Sequence, residues 1–124
     1  RILRFDFDLL THNKTSAAIS STNRCIHTEH IFIESGAIVE HAILNASTGP
    51  IYIGKNAVVM EGTAIRGPFA LGDHSVLKLN SRVYGATTLG PYCMGGGEIK
   101  NSIMMGYSNK AHDGYLGDAV IGAW

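Results

Sequence analysis

Aliphatic residues recur at every sixth position through the middle of the chain, without a miss from residue 53 to residue 89. Residues 33–44 follow the same template, with Ile33 and Val39 in the aliphatic position. An α-helix repeats every 3.6 residues, so it cannot keep a strict period of six. The period predicts short strands repeated around a triangular coil, with the aliphatic side chain pointing inward. The main series is Ile53, Val59, Ile65, Leu71, Leu77, Val83 and Leu89.

A second position of the repeat carries mostly small residues. It lies four residues after each aliphatic residue, where a tight corner would exclude a bulky side chain. Together the two positions predict an all-β fold, a parallel β-helix of hexapeptide repeats. The members are Ala57, Thr63, Phe69, Ser75, Ser81, Thr87 and Cys93.

Three hexapeptides make one coil, so residues 18 apart are expected to stack at the strand spacing of ~4.8 Å. Gly49-Pro50, Gly67-Pro68 and Gly85-Ala86 follow one another at this step. We interpret them as one corner repeated through three coils, since glycine accepts backbone angles that other residues resist.

The repeat has two faults in register. The step from Ile33 to Ile53 is longer than three hexapeptides, so a coil near the sequence NASTGP carries two extra residues. After Leu89 the aliphatic position falls on Gly95, and the phase is lost until about Leu116. Such a break predicts a protruding loop, and loops of this kind often carry function.

Residues 1–30 do not follow the repeat and are predicted to be an extended connector before a β-helix at 31–124. Within RILRFDFDLL, Phe5, Phe7 and Leu9 alternate with aspartates, which predicts a half-buried strand. The small, polar stretch at 11–23 is interpreted as a linker. The β-helix ends in mid-coil, which would expose a strand edge, so we expect the full chain to continue.

Composition narrows the classes of function. The chain has 124 residues, with 10 basic and 10 acidic side chains, so it offers no overall field for nucleic acid. No apolar run approaches the ~18 residues that a membrane span requires. Two cysteines, Cys25 and Cys93, make no disulfide framework, so a reduced, cytoplasmic setting is expected. Cys93 fills a small corner position and is interpreted as structural.

Arg82 and Lys100 are separated by three hexapeptides and would stack if the intervening coil keeps its length. Two stacked cations repel each other, and an anion between them would turn that cost into binding. A phosphate suits the pair, because arginine offers a forked contact and lysine a point charge. The alternative is that both side chains are ordinary solvated surface residues.

His112 is the candidate general base, since histidine accepts a proton near neutral pH. Lys110 and Tyr115 could bind substrate from the same segment, and Asp113 could orient the ring. The alternative is a surface-loop histidine. A metal site is not expected, because no two histidines within the repeat are separated by one full coil of three hexapeptides.

Residues 82–122 resemble the acetyltransferase half of the bacterial bifunctional glucosamine-1-phosphate acetyltransferase and N-acetylglucosamine-1-phosphate uridylyltransferase. The resemblance is carried by Arg82, by GEIK ending at Lys100, and by the run KAHDGYLGD. Residues 30–72 are similar to a bacterial group of predicted sugar nucleotidyltransferases with a hexapeptide half. The resemblance covers about residues 30–124.

The resemblance implies a left-handed coil and a homotrimer with sites between subunits. It implies that Arg82, Lys100 and Tyr115 bind the sugar phosphate, and that His112 takes a proton from the sugar amine as the amine attacks acetyl-CoA. Most of the acetyl-CoA pocket would lie beyond residue 124, so these residues alone are expected to be inactive. The implied setting is nucleotide-sugar biosynthesis in the cytoplasm, with no nucleic acid or membrane partner.

Two functions stay open at this point. One is an acetyltransferase module acting on a hexosamine-1-phosphate. The other is a non-catalytic β-helix that trimerises or regulates a sugar-1-phosphate nucleotidyltransferase. Asp113 favours the second, because it follows His112 where the family has leucine and would place a negative charge beside a phosphate site.

Overall fold

The chain winds into a parallel β-helix of three sheets, as predicted. The structure is a computed structural model that describes residues 6–104 and, beyond them, only the backbone of three short strands at 109–110, 115–117 and 120–121. Each successive strand joins the next of the three sheets, so every strand pairs in parallel with the strand one coil away. The left hand of the coil stays a prediction from the resemblance.

The strands are numbered in chain order. Sheet A contains β1 (Arg24–Ile26), β4 (Ile43–Asn45), β7 (Ala64–Arg66), β10 (Arg82–Tyr84), β13 (Glu98–Lys100) and β16 (Tyr115–Gly117). Sheet B contains β2 (Ile31–Ile33), β5 (Ile51–Ile53), β8 (Phe69–Leu71), β11 (Thr87–Leu89), β14 (Ile103–Met104) and β17 (Val120–Ile121). Sheet C contains β3 (Ile38–Val39), β6 (Val58–Val59), β9 (Val76–Leu77), β12 (Met94–Gly95) and β15 (Asn109–Lys110).

The core is the inside of the coil, and the period of six predicted its members. All seven aliphatic residues from Ile53 to Leu89 are at most 2% exposed. The seven residues of the small position are equally buried, including Cys93, whose burial agrees with the predicted structural role. Phe69, the one large member, is fully buried and fills the interior beside these smaller neighbours.

The corner between sheets A and B repeats through stacked glycines, as predicted. A Cβ added to Gly67 would lie 2.0 Å from the carbonyl oxygen of Gly49. This is a steric clash with the backbone, which cannot move aside as a flexible side chain could. The amide of Phe69 donates a hydrogen bond of 2.9 Å to the carbonyl of Pro50 one coil earlier. Glycine is therefore required at residue 67 because the two chain segments touch there.

The first fault in register lies where the sequence placed it. Ile31 pairs with Ile51, so this coil is two residues longer than three hexapeptides. The corner at 46–50 has five residues where the next coil turns with only 67 and 68, which adds three. The corner at 40–42 is one residue shorter than its counterpart at 60–63, so the net gain is two. The longer corner at 46–50 rises beside the outer face of sheet A.

The second fault is a shortened corner, so the prediction of a protruding loop is wrong for residues 95–104. Between β12 and β13 the chain turns with residues 96 and 97 alone, whereas the preceding coil uses 78–81. Gly97 adopts a φ of 72°, which favours glycine. Gly95 takes the inward position in place of a larger residue, and the side chain of Ile99 lies against it. The phase returns earlier than predicted, because Ile99 and Met104 already take the inward position and are at most 1% exposed. Leu116 then pairs with Ile99.

The N-terminal strand predicted around Phe7 is wrong, because residues Phe7–Thr11 form a short helix, α1. The Asp6 carboxylate caps it by accepting a hydrogen bond of 3.1 Å from the Leu9 amide. Phe7 and Leu10, three residues apart and so on one helical face, pack against the outside of sheet B.

Residues 12–23 contain no helix or strand, but they are more than the predicted linker. The Ala17 amide donates a hydrogen bond of 2.7 Å to the Ile33 carbonyl, and Ile19 packs against the core. Paired strands begin at residue 24, within the segment predicted to be a connector.

Candidate functional site

The outer face of sheet A presents two parallel rows of side chains. Residues at the first and third position of each strand point outward, and the middle residue points into the core. The strand register aligns each row from coil to coil. The first row is Arg24, Ile43, Ala64, Arg82 and Glu98, and the second is Ile26, Asn45, Arg66, Tyr84 and Lys100.

Arg82 and Lys100 lie on this one face but do not stack directly, so that part of the prediction is wrong. Arg82 pairs with Glu98 and Lys100 pairs with Tyr84, because the corner at 96–97 is two residues shorter than its counterpart at 78–81. The two cations are diagonal neighbours on adjacent strands. From the strand spacing and the rise per residue, their backbones are roughly 8 Å apart, a distance that both long side chains can span.

Tyr84 lies between the charged residues and links them. Its hydroxyl donates a hydrogen bond to the Glu98 carboxylate. The Lys100 ammonium lies 5.9 Å from the centre of the Tyr84 ring, within the range of a cation–π contact. The Arg82 guanidinium donates one hydrogen bond of 3.1 Å to the carbonyl of Asn80, and its other N–H groups can serve a ligand.

The remaining predicted site residues lie near or beyond the limit of the described side chains. Tyr115 begins the strand next to β13, and its Cα pairs with that of Glu98, in line with Arg82. The strand register thus brings Arg82, Lys100 and the backbone of Tyr115 to one sheet. His112 lies outside the described residues.

A groove opens on the same face over the small side chain of Ala64, with a volume of about 610 Å³. Arg66, which the sequence reasoning missed, lines it together with Arg82 and Tyr84, and the corner at 46–50 contributes Thr48. The spacing in the sequence could have identified Arg66, because it lies three hexapeptides before Tyr84 and is therefore expected beside it in the preceding coil. Its lining also includes Ile43, Asn45, Ile65, Gly67, Pro68, Val83 and Gly85.

Histidines in the described part of the coil serve mainly at corners. His27, His41 and His74 each adopt a positive φ near 60°. The His74 ring stacks on the Tyr92 ring of the next coil, with centroids 4.8 Å apart. Within residues 6–104, no three histidine, cysteine or carboxylate side chains come together as a metal site would require.

Glu34 is a carboxylate buried at the edge of sheet B, only 7% exposed. It accepts hydrogen bonds of 2.6 Å from the Tyr52 hydroxyl and 3.0 Å from the Lys14 ammonium. Burial would raise the pKa of Glu34, but these hydrogen bonds and the charges of Lys14 and Lys55 outweigh it and lower the pKa overall. Burial and the neighbouring Glu34 carboxylate raise the pKa of Tyr52.

Comparison of the chain with protein-family models and with curated protein sequences gave no match. The only helices among the described residues are α1 and a 3₁₀ turn at Thr28–His30, and neither is long and apolar enough to cross a bilayer. What the structure establishes is the parallel β-helix and the arrangement of side chains on its outer faces.

Proposed function

We propose that the chain is the sugar-phosphate-binding part of an acetyltransferase that moves an acetyl group from acetyl-CoA to the amine of a hexosamine-1-phosphate. In this proposal it belongs to a sugar-1-phosphate nucleotidyltransferase that acts as a homotrimer in nucleotide-sugar biosynthesis in the cytoplasm. The observation that carries the proposal is the pair Arg82 and Lys100, diagonal neighbours on one outer face beside Tyr84.

This pair has the chemistry that a phosphate monoester requires. The guanidinium can make a forked, two-bond contact, and the ammonium adds a compact charge from the next strand. Glu98 is next to Arg82 in the first row and on the same strand as Lys100. The Tyr84 hydroxyl donates a hydrogen bond to the Glu98 carboxylate, and the Lys100 ammonium lies over the Tyr84 ring. One oxygen of the carboxylate is thereby hydrogen-bonded within the protein, and neither cation is among the ion pairs of the described residues, so both stay available to an anion.

The proposed reaction needs positioning and one proton transfer. The sugar amine attacks the thioester carbonyl, the new C–N bond forms, and the C–S bond breaks to release the thiol of coenzyme A. His112 would take the amine proton, a step typically worth ~10²–10⁴-fold in rate. Fixing the sugar through its phosphate supplies the orientation on which such a reaction depends.

Release of thiol from acetyl-CoA tests the proposal in the full-length protein, with a panel of amino-sugar phosphates. We expect release with at least one hexosamine-1-phosphate, loss of it in His112→Ala, and a strong decrease in Arg82→Ala. Arg24→Ala is the matched control, because Arg24 stands in the same row of sheet A but does not line the groove. Absence of thiol release with every sugar would contradict the acetyltransferase.

The second candidate function is a non-catalytic β-helix that trimerises or regulates the nucleotidyltransferase. Ile26 and Ile43 favour it, because they are diagonal neighbours on sheet A and about half exposed, at 51% and 49%. Such a patch is typical of a surface that another chain covers. Intact nucleotidyl transfer without thiol release, together with a monomer produced by charged substitutions at both isoleucines, would support this alternative.

A further inference from the structure

The groove on sheet A exists because one side chain in its row is small. Ala64 stands between Ile43 and Arg82 in the first row, so the face is hollow at that strand. The corner at 46–50, three residues longer than the next one, closes the side of the hollow where Thr48 and Pro68 lie. A volume of about 610 Å³ is in the range of ~300–1,000 Å³ usual for small-molecule sites.

The hollow is positively charged although the chain as a whole is neutral. Arg66 and Arg82 stand on opposite corners of it, on adjacent strands, and its lining includes no carboxylate. Two ion pairs occur among the described residues, Lys14 with Glu34 and His27 with Glu29, and neither involves these arginines. Two guanidinium groups that flank one hollow without a carboxylate repel each other, and an anion between them removes that cost.

The polar side chain beside Arg66 is also oriented to donate a hydrogen bond to a ligand. The Asn45 side-chain oxygen accepts hydrogen bonds of 2.9 Å from the Ser47 amide and 2.6 Å from the Ser47 hydroxyl. The amide nitrogen of Asn45 is therefore the end that remains for a ligand. Donors and cations without a competing carboxylate favour an anionic group at this point.

Arg66 is too far along the coil axis to share one phosphate with Lys100. Arg66, Tyr84 and Lys100 follow one another in the second row, so the two cations are two strand spacings apart, about 10 Å at the backbone, with the Tyr84 ring between them. A single phosphate held by Arg82 and Lys100 leaves the Arg66 side of the hollow unfilled. A ligand with two linked phosphates can reach both sides.

We propose that the hollow is a second phosphate subsite, which allows this face to bind a hexosamine linked to a nucleoside diphosphate in competition with the hexosamine monophosphate. Arg82 contacts both phosphates. Lys100 contacts the phosphate next to the sugar, and Arg66 with Asn45 contacts the second phosphate. The apolar side chains of Ile43 and Pro68 lie against the nucleoside. This inference rests on the proposed function and adds to it a means by which the nucleotide sugar limits its own formation.

Calorimetric titration of the full-length protein tests the subsite with three probes: glucosamine-1-phosphate, inorganic pyrophosphate and UDP-N-acetylglucosamine. We expect both diphosphates to bind and to displace glucosamine-1-phosphate. Arg66→Ala should raise about 10-fold the concentration of either diphosphate needed to displace glucosamine-1-phosphate, and should raise the Kd of the monophosphate by less than about 2-fold. Arg24→Ala should change neither value. Thermal unfolding of Arg66→Ala and Arg24→Ala at the temperature of the unmodified protein verifies that both variants fold.

The results separate this inference from the proposed function. Displacement is the deciding measurement, because the nucleotidyltransferase site would bind both diphosphates itself. Binding of glucosamine-1-phosphate that neither diphosphate displaces would overturn the subsite and leave the proposed function standing. Equal weakening of all three probes in Arg66→Ala would also overturn it, because Arg66 would then belong to the monophosphate site. Failure of glucosamine-1-phosphate itself to bind would contradict the proposed function.

Discussion

Lys100 lies opposite Tyr84, with its ammonium group 5.9 Å from the centre of the tyrosine ring. Arg82 is therefore offset from Lys100 by two residues along the strand and does not lie directly beneath it. The offset places the aromatic ring and the Glu98 carboxylate between the two cations, so an anion meets them diagonally. The offset between Arg82 and Lys100 is caused by the short corner at 96–97.

Salt should weaken ligand binding on this face. Arg82 and Arg66 are exposed, and contacts between exposed charges are screened over a Debye length of ~10 Å at 0.1 M salt. We expect the Kd of glucosamine-1-phosphate to rise several-fold between about 20 mM and about 300 mM sodium chloride. In Arg82→Ala the slope should be shallower, since one charge has been removed. An affinity independent of salt would contradict a phosphate held by these cations.

Tyr52→Phe should destabilise the fold in a pH-dependent way. It removes the hydrogen bond that the Tyr52 hydroxyl donates to the buried Glu34 carboxylate, at a cost of about 1–3 kcal/mol at neutral pH. The folded state lowers the pKa of Glu34, so the stability from this group is present above the unfolded pKa of about 4.3 and is lost as pH falls through the folded pKa. The difference between the two proteins should therefore shrink below about pH 4.

Urea unfolding of both proteins at pH 7 and at acid pH measures this difference. Glu34→Gln is the control background, since without the carboxylate charge the effect of Tyr52→Phe should not vary with pH. A loss of stability in Tyr52→Phe that is the same at every pH would show that the hydroxyl acts without the Glu34 charge.

Leu71 and Leu79 provide a matched test of the hexapeptide period. Leu71 occupies the aliphatic position and is fully buried, whereas Leu79 lies outside the series and is 54% exposed. Leu71→Ala leaves a cavity in the coil and should lower the free energy of unfolding by about 2–5 kcal/mol. Leu79→Ala should change it by less than about 0.5 kcal/mol. Equal effects in chemical denaturation would contradict the inward position of the period.

The core could be predicted from the sequence because one residue type repeats at one interval. In coils of constant length, residues at a fixed interval along the sequence stack on one another, so the sequence alone predicts that Ile53, Leu71 and Leu89 point into the core. The corner glycines followed for the same reason, since Gly49 and Gly67 must touch if the step is three hexapeptides. These inferences depend on regularity and hold only where the coil is regular.

Irregular segments were predicted less well, each for a physical reason. The three glycines at 95–97 permit either a loop or a tight corner, because glycine accepts both backbones, and only the pairing of Arg82 with Glu98 decides between them. At the N-terminus, alternation of Phe5, Phe7 and Leu9 indicated a strand, but Phe7 and Leu10 also share a helical spacing. The cap at Asp6 and the packing surface on sheet B favoured the helix.

Binding of glucosamine-1-phosphate to single variants tests the central claim most directly, which is that Arg82 and Lys100 together hold a sugar phosphate on the outer face of sheet A. Calorimetry should give a Kd that rises about 10- to 100-fold in Arg82→Ala and in Lys100→Ala, as expected for loss of a charge-assisted hydrogen bond. Arg24→Ala should bind like the unmodified protein. Wild-type affinity in either the Arg82 or the Lys100 variant would contradict the account.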